Sequence, residues 1–144
     1  MAESIVVGTD GSGTASRAVK EAMRLARALQ AELHLVSAYE PERVSIKGAP
    51  EGAAKVWAPL PDSRVEAILS EEAAASRIDG LTATTHAVRS DPVDALIKVA
   101  DEVDAGLIVV GSRGMHGARR VLGSVPNKIS HRANRNVLIV HTDE

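Results

Sequence analysis

The feature that most constrains this chain is the regular alternation of short apolar runs with longer stretches of helical spacing. The apolar runs are rich in Val, Ile and Leu and are bounded by turn residues, which is typical of buried strands. Parallel strands need long, right-handed helical crossovers between them. The pattern therefore predicts an α/β fold with one doubly wound, five-stranded parallel sheet. The predicted strands are 4–10, 31–41, 82–88, 106–112 and 136–143, and the predicted helices are 13–30, 63–78, 90–105 and 124–135.

Length and composition agree with a single domain covering residues 1–144. Tyr39 and Trp57 are the aromatic residues and Phe is absent, so Val, Ile, Leu and Ala must build the core. Such a core suits a parallel sheet covered by Ala-rich helices. The segment 42–62 contains several Gly and Pro residues and is predicted to be an irregular, functional or mobile loop.

Charge and cysteine usage argue against several kinds of partner. The net charge of −2 does not provide the basic excess that nucleic-acid binding requires. With no cysteine, the chain has neither a disulfide framework nor a thiolate metal site. The N-terminus lacks the pattern of a signal peptide, and no apolar run approaches the roughly 18 residues of a membrane span. We expect a cytoplasmic protein with no nucleic-acid or membrane partner.

Three of the predicted helices carry a recognisable start. Ser12 or Thr14 is suited to cap the first helix. Ser63 followed by Glu66 has the spacing of a capping box for the second. The Asp91–Pro92 pair places a capping acid before a proline at the first helical position of the third.

The segment GSRGMHGARRVLGS, residues 111–124, follows the fourth predicted strand. Gly111 and Gly114 allow a ligand to approach backbone N–H groups, and Arg113 adds positive charge. Gly123 and Ser124 open a helix, whose free N–H groups and dipole favour an anion. Two interpretations stay open from these residues alone. The segment is either a phosphate cradle or a strand-to-helix turn that uses glycine for its conformation and serine for its cap.

Asp10 stands at the end of the first predicted strand, at the sheet edge where the glycine segment also lies. Ligands of open α/β sheets bind beyond the carboxyl ends of the strands, where the strand order reverses. A carboxylate there can accept a ribose hydroxyl or hold a metal ion that bridges phosphates. The alternative is an Asx turn with Gly11 or Ser12.

Over nearly its whole length the chain resembles the nucleotide-binding type of the universal stress protein family. The resemblance rests on VVGTDGS, LHLVSAYEP, DPVDALIKVADEVDAGLIVVGSRG and LGSVPNKISHRANRNVLIVHT. It implies a Rossmann-like, adenine nucleotide alpha hydrolase-like sheet of order 3-2-1-4-5. It also implies a stress-response homodimer, paired through the last strand at Val137, Leu138, Ile139 and Val140.

The same resemblance implies a bound adenine nucleotide, with ATP the first expectation and Mg²⁺ or Mn²⁺ as an ion bridging its phosphates. The residues carried over, in this numbering, are Thr9, Asp10, Ala38, Gly111, Arg113, Gly114, Gly123, Ser124 and Val125. Asp10 would contact the ribose, or a metal ion through the phosphates, and the backbone at Ala38 would contact the adenine. One departure stands out. Gly114 and Gly123 enclose eight residues, whereas the family pattern G-x2-G-x9-G-[S/T] has nine, which leaves open whether AMP, ADP, ATP or a cyclic nucleotide fits.

Three functions compete at this point: a regulatory nucleotide binder, a slow ATPase on the same fold, and a dimeric scaffold that has lost its ligand. The chain contains no G-x4-G-K-[ST] loop, no H-x-G-H motif and no S-G-G-x-D motif, and no residue is assigned a catalytic role. The binder is therefore the first hypothesis.

The remaining polar residues favour structural roles. Histidines such as His34 and His86 lack metal-site spacing, while His116 lies in the glycine segment and is a candidate phosphate contact. Trp57 is interpreted as an anchor for the loop 42–62, with contact to the base as the alternative. Met23 is expected in the core. A solvated helix face is predicted to carry Asp91, Asp94, Lys98, Asp101, Glu102 and Asp104.

Overall fold

A computed structural model describes residues 3–39, 60–112 and 124–141 of the chain. Strands and helices alternate throughout these ranges, as the apolar pattern predicts. The strands are β1 (Ser4–Gly8), β2 (Glu32–Tyr39), β3 (Ala83–Arg89), β4 (Leu107–Gly111) and β5 (Asn136–Val140). The helices are α1 (Gly13–Leu29), α2 (Asp62–Ile78), α3 (Pro92–Val103) and α4 (Ser124–Arg132).

The strands form one parallel sheet of order β3-β2-β1-β4-β5, which confirms the predicted fold and strand order. β1 lies in the centre, where Val7 pairs with Leu35 of β2 and with Val109 of β4. β3 and β5 form the two edges of the sheet. Because every strand runs in the same direction, the carboxyl ends of all five lie at one edge.

The core has two halves, one on each face of the sheet. Ile5 and Val7 face α1 and α2, whereas Val6 faces α3 and α4. This alternation follows from the two-residue period of a strand. The buried hydrophobic side chains are Val, Ile, Leu, Met and Ala, including Met23 of α1, as the scarcity of aromatic residues requires.

The helix starts test the predicted caps. Ser12 caps α1, its hydroxyl accepting a hydrogen bond from the N–H of Ala15 at 3.1 Å. Asp91 caps α3, as predicted. The prediction for Ser63 is wrong, because α2 already begins at Asp62 and Pro61 occupies the cap position without a side-chain hydrogen bond.

Salt bridges connect the end of α3 to the start of β5. The guanidinium of Arg135 donates to Asp101 at 3.0 Å, to Asp104 at 3.1 Å and to the carbonyl of Ala105 at 2.8 Å. Two carboxylates of the predicted solvated face therefore have a structural role. The residues described include no helix that is long and apolar enough to cross a membrane.

Candidate functional site

The crossover that follows β1 leads to β2, on one side of β1. The crossover that follows β3 leads to β4, on the other side of β1. The strand order therefore reverses between β1 and β4. A crevice forms at such a switch point, beyond the carboxyl ends of the two strands. Val7 of β1 pairs with Val109 of β4. If this register is continued by two residues, Thr9 lies opposite Gly111. The topology thus brings the two segments that the sequence singled out to one edge of the sheet.

Thr9 directly follows β1 and is completely buried. Its N–H donates to the carbonyl of Val36 at 2.9 Å, and its own carbonyl accepts from the hydroxyl of Ser37 at 2.6 Å. Both bonds tie the end of β1 to β2. Since buried backbone groups are costly to leave unpaired, these bonds fix where the chain leaves the sheet.

Residues 9–12 form a tight turn between β1 and α1. The Thr9 hydroxyl oxygen accepts the N–H of Gly11 at 3.1 Å, and the carboxylate of Asp10 accepts the N–H of Ser12 at 2.9 Å. Gly11 has a φ of +81°, and a Cβ there would lie 2.8 Å from the side chain of Ile68. Only glycine satisfies both conditions. The hydrogen bond from the Ser12 N–H to the Asp10 carboxylate is the Asx turn that was expected as the alternative role of Asp10.

Ala38 lies near the end of β2 and is fully buried. Its carbonyl accepts the N–H of Leu60 at 3.1 Å, beside a parallel bridge between Tyr39 and Leu60. The start of α2 is thus held against the end of β2. A ligand that contacts the Ala38 backbone would therefore lie at the edge of the sheet where Leu60 also lies.

On the other side of the crevice, β4 ends at Gly111, which is paired with Val140. The N–H of Ser112 donates to the carbonyl of Val140 at 2.8 Å, and Ser112 is buried. Ser124 is the first residue of α4 and is exposed, whereas Val125 is buried in the core beside Val110. The start of α4 is therefore anchored by Val125.

Five predicted site residues thus lie at or next to the carboxyl edge of the sheet or at the start of α4: Thr9, Asp10, Ala38, Gly111 and Ser124. Val125 lies beside them with its side chain in the core. Three others fall outside the described residues, namely Arg113, Gly114 and Gly123, as do His116 and Trp57.

Glu72 of α2 is a polar residue of this region that sequence reasoning missed. Burial raises the pKa of Glu72, with a smaller contribution from the negative charges of Asp10 and Glu71, while the neighbouring Thr9 hydroxyl opposes the rise. A signal was present in the sequence, because helical spacing places residue 72 on the same stripe as the buried Val65 and Leu69.

The chain was compared with protein families and known proteins. The model of the universal stress protein family matches residues 1–141. This chain belongs to the universal stress protein family. A curated relative, the universal stress protein Rv1636 of Mycobacterium tuberculosis, is 38% identical over 97% of each chain.

Solved structures agree with this assignment. A crystal structure of a universal stress protein in complex with cAMP has a TM-score of 0.76 at 37% identity, covering 99% of this chain and 98% of that one. A universal stress protein from Archaeoglobus fulgidus has a TM-score of 0.73 at 25% identity, covering 96% and 98%. The family and its fold are thereby established for this chain.

Proposed function

We propose that this universal stress protein binds an adenine nucleotide at the switch point between β1 and β4 and acts as a regulatory stress-response dimer. The observation that carries the proposal is the likeness, at 37% identity over nearly the whole of both chains, to a universal stress protein in complex with cAMP. The hydrogen-bonded turn at residues 9–12 and the start of α4 lie at the same edge.

In this proposal the nucleoside lies between the ends of β1 and β2. Asp10 accepts a ribose hydroxyl through its carboxylate, which the Ser12 N–H also contacts at 2.9 Å. The backbone at Ala38 contacts the adenine, and the first N–H groups of α4 face the phosphate. Arg113, Gly114 and Gly123 complete the phosphate cradle with Gly111, Ser124 and Val125.

The preferred ligand of this site is a nucleotide with one phosphate. The segment between Gly114 and Gly123 is one residue shorter than the family pattern, which shortens the reach around a triphosphate. A cyclic nucleotide or a nucleoside monophosphate needs fewer backbone N–H groups from this segment than a triphosphate does. We therefore propose cAMP or AMP ahead of ATP.

A metal ion has no assigned role in this proposal. Among the described residues, no three His, Asp or Glu side chains are grouped so that they could hold one. Mg²⁺ or Mn²⁺ would enter with the phosphates of a nucleotide, as the resemblance implies.

The first prediction is that cAMP, AMP, ADP and ATP raise the Tm of the purified protein in that order of effect at equal millimolar concentration, since a ligand stabilises the folded state by mass action. Thermal shift and calorimetric titration measure it. Gly114→Val with Gly123→Val should abolish the shift, because added Cβ and methyl groups block the approach of a phosphate.

Gly80→Asn is the matched control, since Gly80 has a φ of +83° and lies between α2 and β3, at the opposite edge of the sheet. Asparagine tolerates that conformation, so the nucleotide response should persist. No stabilisation by any of the four nucleotides would overturn the proposal and favour the scaffold hypothesis.

A further inference from the structure

The exposed face of α1 carries a row of positive charges. The basic residues follow one another at intervals of three or four, so they lie on one side of the helix. All of them are exposed, and at the helical rise of about 1.5 Å per residue the row extends over roughly 15 Å. We call this row the basic ridge, and its residues are Arg17, Lys20, Arg24 and Arg27.

Helix stability does not explain the basic ridge. Like charges three or four residues apart destabilise a helix, and the ridge repeats such pairs from one end to the other. α1 contains a single acid, Glu21, which pairs with Arg24, while Asp79 of α2 lies 4.0 Å from Arg27. Both ion pairs lie at the surface, where such pairs contribute little to stability. The chain therefore keeps a local excess of positive charge on α1, although its net charge is −2.

Two exposed apolar side chains lie at the carboxyl end of the basic ridge. Leu29 is the last residue of α1 and Ile78 is the last residue of α2, and they are 53% and 86% exposed. The ion pair between Arg27 and Asp79 brings the two helix ends together. The other large apolar side chains that the structure describes are at least partly buried. An apolar contact is thus available at one end of the row of charges.

The surroundings of the basic ridge select among anionic partners. Nucleic acids require many phosphate contacts and a basic excess that this chain does not have. A membrane surface requires an exposed apolar face on the helix. The apolar residues of α1 face the core instead, and the buried ones are Ala18, Val19, Ala22, Met23 and Ala26. A protein segment can present carboxylates and an apolar side chain together, which complements both features of this surface.

We propose that the basic ridge, together with Leu29 and Ile78, is a docking surface for an acidic segment of a partner protein that carries an apolar residue at one end. Carboxylates of the partner replace the repulsion along α1 with attraction, and its apolar residue covers Leu29 and Ile78. The inference goes beyond the proposed function, because none of these residues belongs to the nucleotide site.

The probe for this surface is a synthetic, fluorescently labelled helical peptide with Glu at the spacing of the basic ridge and Leu at one end. Fluorescence anisotropy should show binding that weakens about tenfold or more in Lys20→Glu, because repulsion replaces attraction. The same substitution should raise Tm by about 1–3 °C, since like-charge pairs of α1 become opposite-charge pairs. Affinity that is lost while stability is kept separates docking from a role in the fold.

Lys128→Glu is the matched control, because Lys128 is an exposed lysine of α4 on the other face of the sheet. It should change the Kd for the peptide by less than about twofold. Ile78→Ser should weaken binding about threefold to tenfold, as expected when a partly covered isoleucine is lost. This effect should disappear when Ser replaces Leu in the peptide, because the two apolar groups contact each other.

The alternative partners are measured with vesicles of phosphatidylserine and phosphatidylcholine and with a DNA duplex. Tighter binding to either than to the peptide would overturn the inference. An absence of peptide binding, or equal binding by the wild type and Lys20→Glu, would also overturn it. Lys20→Glu should respond to cAMP as the wild type does, since Lys20 is not a residue of the nucleotide site. The docking surface and the proposed function are therefore tested separately.

Discussion

At the scale of single residues, Asp10 has a turn-forming role in addition to the binding role proposed for it. One of its oxygens accepts the N–H of Ser12 at 2.9 Å, which holds the carboxylate in one orientation. The Asx turn that the sequence offered as one interpretation of Asp10 is therefore present. The binding role at the same carboxylate stays a prediction.

A histidine pair on the other face of the sheet is a second residue-scale feature. Nδ1 of His34 in β2 lies 3.0 Å from Nε2 of His86 in β3, and Nε2 of His34 lies 3.4 Å from the carboxylate of Glu32. Burial lowers the pKa of His86, and so does the neighbouring His34. On α3, Glu102 opposes this shift and Lys98 adds to it. The pair is a side-chain contact between β2 and β3, and the structural role expected for these histidines stays a prediction.

The second prediction is a loss of stability in acid caused by His86. Its folded-state pKa lies below the unfolded value of about 6.5, so the unfolded chain takes up a proton first. The stabilising contribution is complete above about pH 6.5 and is lost as pH falls through the folded pKa. In His86→Gln, the urea midpoint should depend less on pH between about pH 7.5 and 5.5.

Replacement of another histidine provides the control for this measurement. His131 lies on the exposed surface of α4, and His131→Gln removes an imidazole without touching the pair. An equal pH dependence in the wild type and His86→Gln would show that the pair does not control stability in acid.

At the scale of elements, the start of a helix is set by local hydrogen bonds. The carboxylate of Asp91 accepts the N–H groups of Val93 at 3.0 Å and Asp94 at 3.1 Å. Ser63 shares the composition of a cap but lies inside α2. Pro61, with φ −62° and ψ 149°, takes the cap position because the α2 backbone already turns helical at Asp62.

The third prediction uses this contrast. Asp91→Ala should lower the free energy of unfolding by about 1 kcal/mol, because two N–H groups lose their acceptor. Ser63→Ala should cost much less, since no cap hydrogen bond is lost and alanine favours a helix interior. Urea denaturation of both variants measures the difference. An equal loss of the free energy of unfolding in Asp91→Ala and Ser63→Ala would mean that the Asp91 cap does not specifically stabilise α3.

At the scale of the whole molecule, β5 presents an incompletely covered edge. Val137, Leu138, Ile139 and Val140 are all only half-buried, although they pack partly against the two halves of the core. An apolar strand edge is a template for pairing with another chain, and proteins usually cover it. The resemblance and this edge together support the proposed dimer through β5.

The fourth prediction is that the proposed dimer exists in solution and that Ile139→Asp converts it to a monomer, because a carboxylate at the edge would have to be desolvated in the interface. Analytical ultracentrifugation measures the mass, and circular dichroism checks that the fold persists. Thr84→Asp places the same charge on the exposed strand β3 at the opposite edge and should leave the dimer intact. A dimer that survives Ile139→Asp would place the interface elsewhere.

The sequence by itself determined the class of the fold, the order of its elements along the chain and the cap at Asp91, and it narrowed the first cap to Ser12 or Thr14. These features depend on the spacing of hydrophobic residues and on short-range hydrogen bonds, both of which can be recognised in the sequence. The same reasoning brought Asp10 and Gly111 to one edge, since parallel strands share their carboxyl ends.

Only the tertiary structure decided which distant side chains meet. His34 and His86 are 52 residues apart, and their contact depends on the register between β2 and β3. Ile68 lies against Gly11 because α2 packs over the turn that follows β1. The period of α2 places residue 68 on the buried side of the helix, but that period names no partner. The contact between α2 and this turn therefore became visible only once the sheet and its helices were assembled.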